Sequence, residues 1–476
     1  MAEAVCVSDF CKTENKRSGE KQHSVIIALR IKKRLLLLLL GLVPLIVDDI
    51  SGTWRIISAA SFEILILLLI LLRAILEREN HRWIYTRGRL VEKHGILNKR
   101  EISVPAESIS SASAVKSPLL SMFHAVKIEA GTAASSRKPL SFYTAEANSG
   151  KFIRQVAFPS KDAVRFKAQR ASVFITAMSL TNIVSGLLFM VPLFIRLRKV
   201  INTDLNLRLF GALAQKLTPY ISYGAALIVG AAAAGWTAGF IIKCFNTGFF
   251  TLAADRKCIA SAQGVIVRRL DCVRTDRVLC FDERETLLLK ILKRKTMYGS
   301  FDGEKHLFLP SVNNREYDRI KRRILPPETK SAVRAAVPEK GRAGWYLPWA
   351  LCLVAVMGIS IRLCGTGNIM NAVTVLLPVT VAFSWRTAVC YVCSGEAYIE
   401  AGSRYVSIRT AERMTIHTFT AFQGNVQKAQ ITVSPFQKGK GLCTVRIKIA
   451  GHKRMLRCRN LPENRTRAVI EKIRTA

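Results

Sequence analysis

The sequence predicts a membrane α + β protein: about six transmembrane helices in three hairpins, alternating with three small β domains, each closed by a C-terminal helix. Three observations predict this class. Apolar blocks occur in pairs, a long basic segment follows each pair, and these segments contain short strand-like runs that end in a helical pattern. Of the 476 residues 50% are hydrophobic and 22% are charged, as expected of a chain that alternates between apolar and polar blocks.

The apolar blocks supply the predicted hairpins. They are residues 35–47 with 56–76, residues 172–195 with 219–242, and residues 345–361 with 369–383. A spanning helix needs about 20 apolar residues. Four blocks approach that length, while 35–47 and 369–383 are short and would need flanking residues or local bilayer thinning. For these two short blocks a buried soluble hairpin is the alternative.

The distribution of basic residues predicts the orientation. The turn at 48–55 contains one basic residue and the turn at 364–368 contains none, whereas the N-terminal tail and the three long segments are rich in Lys and Arg. The positive-inside rule therefore predicts a multi-pass plasma-membrane protein with its termini and β domains in the cytoplasm. This topology places segment 196–218 outside, although that segment contains five basic residues.

These boundaries divide the chain into seven predicted segments. They are a basic cytoplasmic tail (1–33), hairpin 1 (34–76), domain 1 (77–170), hairpin 2 (171–243), domain 2 (244–343), hairpin 3 (344–386) and a divergent domain 3 (387–476).

Each long segment has the same order of strands, hairpin and helix. Domain 1 begins with strand-like runs at 83–86, 90–93 and 101–104 and ends with a hairpin from 126–130 and 140–143. In domain 2 the hairpin joins 297–301 to 306–309 through Asp302-Gly303, and in domain 3 it joins 445–450 to 455–458. The predicted helices follow, with Tyr317, Ile320 and Ile324 on one face in domain 2 and Val469, Ile470 and Ile473 in domain 3.

The first two domains superpose without a gap at one constant offset along the chain. Gly95 then falls on Gly264, Lys99-Arg100 on Arg268-Arg269, and Leu119-Leu120 on Leu288-Leu289. A collinear set of matches predicts a duplicated unit of hairpin plus β domain. The third unit agrees in the order of its elements, with a loose match around Gly402.

The first domain also resembles a known family. The runs 85–90 (YTRGRL), 95–100 (GILNKR), 117–123 (SPLLSMF) and 126–131 (VKIEAG) are similar to those of bacterial pleckstrin-homology-like (PH-like) domains in membrane-anchored proteins of the YdbS/YdbT type. The resemblance covers about residues 80–156. It implies a seven-stranded β-sandwich or partly open barrel capped by a C-terminal helix, and it implies no catalytic residues.

The candidate contact residues are Lys99, Arg100, Arg268 and Arg269, which recur after a glycine turn in the first two domains. Basic residues beside a bilayer attract anionic headgroups by about 1 kcal/mol each. They could contact anionic lipid or a protein partner, or they could form a solvated face that reflects topology alone. The same alternatives apply to 321–323 (KRR) and 438–440 (KGK).

Other classes of function have little support. The formal charge of +39 calls for an anionic partner, but it is spread over three domains without an aromatic basic platform, so we expect membrane lipids rather than nucleic acid. The seven histidines form no metalloprotease motif, and the 12 cysteines include one CxxC, Cys390 and Cys393, with no second pair at zinc spacing. We therefore expect no metal, no cofactor and no catalytic residues.

The sequence thus predicts a non-enzymatic membrane protein that presents PH-like domains to anionic lipid, to another membrane protein or to a second copy of itself. Envelope maintenance or tolerance of membrane-acting agents is the physiological role that the resemblance suggests. The alternative is an accessory or pore-forming subunit of a transporter, in which the helices carry the function. The blocks contain very few ionisable residues, of which Glu63 is one. This scarcity argues against the alternative, because a transport path needs several polar side chains along its wall.

Overall fold

The computed structural model describes residues 20–34, 52–86, 88–95, 98–132, 140–156, 163–180, 223–301, 304–325, 332–364, 369–412, 414–452 and 454–475. The apolar block at 35–47, the segment 196–218 and the turn at 365–368 lie outside these residues. The predictions made for them, including the side of the membrane on which 196–218 lies, stay predictions.

The described strands, numbered in chain order, are β1 Glu20–Lys21, β2 Arg82–Thr86, β3 Arg89–His94, β4 Arg100–Pro105, β5 Ile109–Lys116, β6 Ala125–Thr132, β7 Leu140–Ala145, β8 Val164–Lys167, β9 Thr251–Ala254, β10 Cys258–Gln263, β11 Arg268–Arg274, β12 Cys280–Glu285, β13 Arg294–Phe301, β14 Glu304–Asn313, β15 Val333–Ala336, β16 Tyr398–Ala401, β17 Tyr405–Glu412, β18 Thr415–Phe422, β19 Val426–Thr432, β20 Leu442–Ile449 and β21 Leu456–Pro462.

The described helices are α1 Val25–Arg34, α2 Gly52–Asn80, α3 Pro118–Met122, α4 Glu146–Val156, α5 Arg170–Leu180, α6 Tyr223–Thr247, α7 Leu287–Ile291, α8 Asn314–Ile324, α9 Glu339–Cys364, α10 Ile369–Ser394, α11 Pro435–Lys438 and α12 Glu463–Arg474. Short 3-10 helices, Ala106–Ser108, Thr275–Arg277 and Gln423–Asn425, separate the first three strands of each repeat from its last three.

The chain forms two compact units. Unit 1 comprises Met1–Ala163 and Lys257–Arg277, and unit 2 comprises Val164–Arg256 and Val278–Ala476. In unit 1, β1 to β4 form an antiparallel sheet in chain order, and β7-β6-β5-β11-β10 form a second antiparallel run. Its core includes Trp83, Phe142 and Phe152; the Trp83 and Phe142 rings stack at 4.6 Å, and α4 contributes Phe152 edge-on at 5.4 Å from Phe142.

Unit 2 contains a seven-stranded sheet. Seven antiparallel strands follow the order β14-β13-β12-β18-β17-β16-β15, β19-β20-β21 form a further sheet, and β8 pairs with β9. The core below β16 to β21 includes Phe419, Ile447 and Val469, all fully buried. Cys393, Cys443 and Cys458 are free, buried thiols in this core, and burial raises the pKa of Cys393 to about 12.

One joint between repeats occurs in each unit. In unit 1 β5 pairs with β11, placing Ala112 opposite Cys272, and in unit 2 β12 pairs with β18, placing Phe281 opposite Thr420. Phe281 is the second-repeat counterpart of Ala112, and Thr420 is the third-repeat counterpart of Cys272. The two joints therefore have the same register. In each joint the fourth strand of one repeat (β5 or β12) pairs with the third strand of the next repeat (β11 or β18).

The predicted fold class is wrong. The described residues form four β-sheets of up to seven strands, and six transmembrane helices in three hairpins do not describe them; among these residues only α9, over Glu339–Ile359, is long and apolar enough to cross a bilayer. Length and apolar content misled the prediction. Helix α2, for example, contains Glu63, Arg73 and Glu77 within its apolar sequence, and each charge raises the cost of insertion. The resemblance implies a seven-stranded β-sandwich or partly open barrel for each domain, whereas the described sheets also pair strands of two successive repeats.

Local predictions are confirmed. The runs at 83–86, 90–93 and 101–104 are β2, β3 and β4, and the three late hairpins are β6–β7, β13–β14 and β20–β21. Tyr317, Ile320 and Ile324 form the buried face of α8, as do Val469 and Ile470 in α12.

Of the predicted duplicated unit of hairpin plus β domain, the repetition of the β domain is confirmed. The offset that places Gly95 on Gly264 also places α3, beginning at Pro118, on α7, beginning at Leu287. The third repeat follows the second at a shorter constant offset, which places Leu287 on Pro435 and Arg294 on Leu442. All three repeats therefore share one order of strands and short helices.

The turn at Gly264 gives the first testable prediction. Its φ is +104°, and a Cβ there would lie 2.0 Å from the Val267 carbonyl oxygen. We expect Gly264→Ala to lower the free energy of unfolding by about 1–3 kcal/mol, measured by denaturant or thermal unfolding. Gly424→Ala is the matched control, since nothing lies within 4 Å of its added Cβ. Equal stability of the two variants would contradict the assignment of strain to this turn.

Candidate anion-binding site

The sequence-predicted contact residues lie at strand starts in unit 1. Lys99 precedes β4, where Arg100 pairs with His94, and Arg268 begins β11 opposite Lys116. The Arg269 Nε donates a hydrogen bond to Asp271 at 2.8 Å, so this guanidinium binds a carboxylate of its own strand, β11. Among the described residues no carboxylate pairs with Lys99, Arg100 or Arg268, and none of these three residues lines the cavities described below. Their role in lipid or partner contact stays a prediction.

Unit 2 contains a basic cavity of about 480 Å³ that the sequence-based prediction did not identify. Its lining comes from β12, α7, the start of β13, α8, β15, β16 and β17. It is lined by six cations (Lys290, Lys293, Arg294, Lys295, Arg334, Arg409), two carboxylates (Glu285, Glu396), Asn314, Gly395 and Tyr398. The formal excess of positive charge favours an anionic ligand.

Two carboxylates fix part of this charge in place. Arg409 donates to Glu285 at 2.7 Å and to Glu396 at 2.6 Å, Lys295 lies 3.2 Å from Glu285, and Lys290 lies 2.5 Å from Glu396. Charge-assisted pairs of this kind hold side chains in defined positions. The two carboxylates therefore orient three of the cations.

The pKa shifts of Arg409 and Glu396 favour the charged form of both groups. Burial opposes the charge of Arg409, but Glu285 and Glu396 outweigh it and raise the Arg409 pKa above its ordinary value. Burial also opposes ionisation of Glu396, but hydrogen bonds and charges from Lys290 and Arg409 lower its pKa. Both charges are consequently present at neutral pH.

Lys293, Arg294 and Arg334 supply the remaining positive charge. Arg294 donates from Nη1 to the Ser172 hydroxyl and to the Ser311 carbonyl, both at 3.2 Å, while the Arg334 guanidinium lies 4.0 Å above the Tyr398 ring. None of the described carboxylates pairs with these three cations. They are the residues best placed to contact an incoming anion.

The backbone conformation at Lys293 is shared by the three repeats. Its φ is +52°, and the corresponding residues of the first and third repeats, His124 and Gly441, have φ values of +49° and +63°. A left-handed conformation costs a non-glycine residue of order 1 kcal/mol or more. The turn after the short helix therefore has this conformation in every repeat, and in the second repeat it places a lysine beside the cavity.

An exposed apolar pair lies between two of the cations. Ile291 is 78% exposed and Leu292 is 44% exposed, and Lys290 and Lys293 flank them. The first and third repeats place apolar side chains on the same short helix, where Met122 is 80% exposed and Phe436 is 89% exposed. Apolar side chains beside basic ones are typical of interfacial membrane contact.

The cavity also adjoins the ends of two apolar helices. Ser172, the partner of Arg294, lies in the first turn of α5, and Gly395 and Glu396 directly follow the last residue of α10. The Thr176 hydroxyl accepts a hydrogen bond from the Ser311 amide at 2.7 Å, which fixes α5 against β14. Hydrogen bonds to α5 and the residues that follow α10 thus connect these helices to the basic cavity within unit 2.

Sequence reasoning missed this cavity although one signal was available. Residues 290–295 read KILKRK, with four basic residues in six, whereas the corresponding residues of the first repeat, 121–126, read SMFHAV. Arg334 and Arg409 could not be added from the sequence because the fold alone brings them to residue 290. The cation cluster is specific to the second repeat.

A second basic surface lies on α8. Arg256, Arg315, Arg319, Arg322 and Arg323 line a cavity of about 560 Å³ together with Asp318. The predicted run 321–323 is therefore divided, since Lys321 pairs with Glu283 while Arg322 and Arg323 face this surface. Of the other predicted run, Lys438 ends α11 and both lysines are exposed.

Buried charge also holds the joint beside the cavity. Asp282 of β12 lies 2.7 Å from the Nδ1 of His417 on β18, 3.0 Å from Arg284 and 3.1 Å from Lys305. Burial opposes ionisation of Asp282, but the His417 hydrogen bond and the neighbouring cations outweigh it and hold the Asp282 pKa well below its ordinary value. In the part of the chain that the structure describes, no group of three His, Cys, Asp or Glu residues could hold a metal.

The Asp282 pKa predicts how the stability of the joint depends on pH. Because the folded pKa is lower than the ordinary 3.8, this carboxylate stabilises the fold above that pH, and the stabilisation is lost as the pH falls below it. We expect Asp282→Asn to lower the free energy of unfolding by roughly 2 kcal/mol or more at about pH 7 and by less at about pH 3. Chemical unfolding at both pH values measures this.

The control for this prediction is Asp276→Asn, which removes an exposed carboxylate from the ion pairs with Arg274 and Arg277. We expect less than about 1 kcal/mol of change, because exposed pairs contribute little. A pH-independent effect of Asp282→Asn would contradict the ionised state proposed for this carboxylate.

Comparison with known proteins agrees with part of this architecture. A family model described as "Bacterial PH domain" matches residues 25–158, which run from α1 through α4. Neither the curated proteins nor the solved structures gave a match. The family match and the order of strands within residues 25–158 show that a bacterial PH-like domain is present in this chain.

Proposed function

We propose that this protein is a non-enzymatic membrane protein whose PH-like repeats bind anionic lipid headgroups at the cytoplasmic face of the bilayer. The basic cavity of unit 2 carries the proposal, because it combines an excess of cations with exposed apolar side chains. A headgroup phosphate would lie near Lys293, Arg294 and Arg334, the three cations without a described carboxylate partner.

Membrane attachment is supported by exposed apolar surface on the helices. In α9, Leu351, Val354 and Met357 are exposed, and Leu68 and Leu69 of α2 are also exposed. Soluble monomers rarely leave such large apolar surface in water. A lipid environment would cover these side chains and keep the cavity beside α5 and α10 near the headgroups.

The charge of the chain supports a cytoplasmic location for the repeats. With a formal charge of +39, basic segments would be attracted to the anionic inner leaflet and retained on that side. We further propose that the protein is of the YdbS/YdbT type, supported by the bacterial PH domain at residues 25–158 and its direct connection to apolar helices.

A lipid titration tests the cavity. The full-length protein in a neutral detergent is mixed with increasing short-chain phosphatidylglycerol, with phosphatidylcholine as the zwitterionic comparison. A ligand that binds the native state raises the unfolding temperature. We expect a rise with phosphatidylglycerol and a roughly 30-fold weaker apparent affinity in Lys293→Glu/Arg334→Glu, since two basic residues at about 1 kcal/mol each contribute about 2 kcal/mol.

The matched control is Lys99→Glu/Arg100→Glu, which changes the net charge by the same amount in unit 1. If it weakens binding as much as the cavity variant, the ligand responds to overall charge or to the unit 1 residues, and the cavity is not the site. Equal shifts with phosphatidylcholine and phosphatidylglycerol would contradict headgroup recognition.

Membrane attachment is tested by fractionation of cells that produce the full chain. We expect the protein to remain in the membrane pellet after alkaline carbonate extraction, because helices that cross lipid are not released by loss of electrostatic attraction. Release into the supernatant would contradict membrane insertion. A reporter fused after Ala476 should be active in the cytoplasm, and activity only outside would overturn the proposed orientation.

A further inference from the structure

We infer that this protein assembles head to tail with second copies of itself, through an antiparallel pairing of β19 in one copy with β4 in the next. The inference rests on the two joints that already connect successive repeats within the chain. It does not depend on lipid binding.

The two observed joints show which strands of a repeat pair with its neighbouring repeats. The strand that opens the second half of a repeat, β5 or β12, pairs with the third strand of the following repeat, β11 or β18. In the third repeat, β19 corresponds to β5 and β12. In the first repeat, β4 corresponds to β11 and β18. Within the described residues neither strand has a neighbouring repeat to pair with.

Both strands are open on one side. Among the described residues, β19 pairs only with β20, and β4 pairs only with β3. An edge strand presents unpaired amide and carbonyl groups, and such an edge binds another strand readily unless it is blocked. Proline occurs in β4 only at its last residue, Pro105, and β19 contains none.

Burial shows what β19 lacks. In β5 the first six residues are buried, and in β12 all but one are buried, since both strands are paired on both sides. None of the residues of β19 is buried, although Ala429 and Ile431 pack against the core of unit 2. A partner strand would complete for β19 the environment that the earlier joints give to β5 and β12.

The shared register predicts which residues meet. By the constant offsets between repeats, Ala112 and Phe281 correspond to Ala429, and Cys272 and Thr420 correspond to Ser103. The pairing therefore places Ala429 of one copy opposite Ser103 of the next.

The same register leaves no charge conflict. Ile431 lies opposite Glu101, Lys428 opposite Val104, and Thr432 opposite Arg100. No two like charges face each other, so electrostatic repulsion does not oppose the ladder.

The symmetry of this contact has a consequence. Because different surfaces meet, the interface is heterologous, and every added copy leaves one β4 edge and one β19 edge open. Copies therefore form a closed ring or an open row. Membrane attachment would hold such copies in one plane and raise their effective concentration.

Cysteine cross-linking between two differently tagged full-length populations tests the pairing. One population has Ala429→Cys and the other Ser103→Cys, and they are mixed in detergent or co-reconstituted, oxidised and separated without reductant. Directly opposite residues have Cα atoms about 4.5–5.5 Å apart, which a disulfide can bridge. We expect a heterodimer carrying both tags at several times the yield of the out-of-register control, Ala429→Cys with Val104→Cys, whose side chain lies on the other face.

A second in-register pair, Ile431→Cys with Glu101→Cys, repeats the test at another position in case one variant misfolds locally. Wild-type chains measure the background of cross-links through native cysteines. Heterodimers with both in-register pairs would support the interface. Yields equal to the out-of-register control would overturn it. A chain that carries both Ala429→Cys and Ser103→Cys gives a further test. Cross-links that form only within this one chain would also overturn the interface, since they would show that β19 and β4 pair with each other in the same molecule.

Discussion

The structure depends on one constraint: β5 and β12, the buried strands that open the second half of the first two repeats, need hydrogen-bond partners on both edges. β5 and β12 find the second partner in the next repeat, so a repeat does not complete its own sheet. Backbone amides and carbonyls that are buried must be paired, and the shared ladder satisfies them. The same arrangement accounts for sheets larger than a single PH-like domain would form.

The second joint differs from the first in its chemistry. β5 contributes small residues such as Ala112 and Ala114, whereas β12 contributes Asp282, Glu283 and Glu285. Buried carboxylates are tolerated only with charged partners. His417 and Arg409 therefore approach β12 from the next repeat, and Arg409 brings positive charge to the cavity. The ion pairs that stabilise the joint also build one side of the candidate binding site.

Under the proposed function, the apolar helices α5 and α10 and the cavity would face the same bilayer surface. Exposed Ile291 and Leu292 lie between lysines. Helix α5 begins and helix α10 ends beside the cavity. Desolvation of apolar side chains and attraction of an anionic group then favour the same position relative to a bilayer. This combination distinguishes the second repeat from the first, whose corresponding residues, 121–126, contain no lysine or arginine.

The sequence by itself determined several local elements: β2 to β4, the three late hairpins, the glycine turns at Gly95 and Gly264, the buried faces of α8 and α12, and the repetition of the β domain. These depend on periodicity and backbone conformation over a few residues. Only the tertiary structure decided that successive repeats share sheets and that Arg334 and Arg409 join the 290–295 run in one cavity. Edge pairing and charge clustering join residues that are far apart in the sequence, and apolar length alone could not separate a bilayer crossing from a helix of this fold.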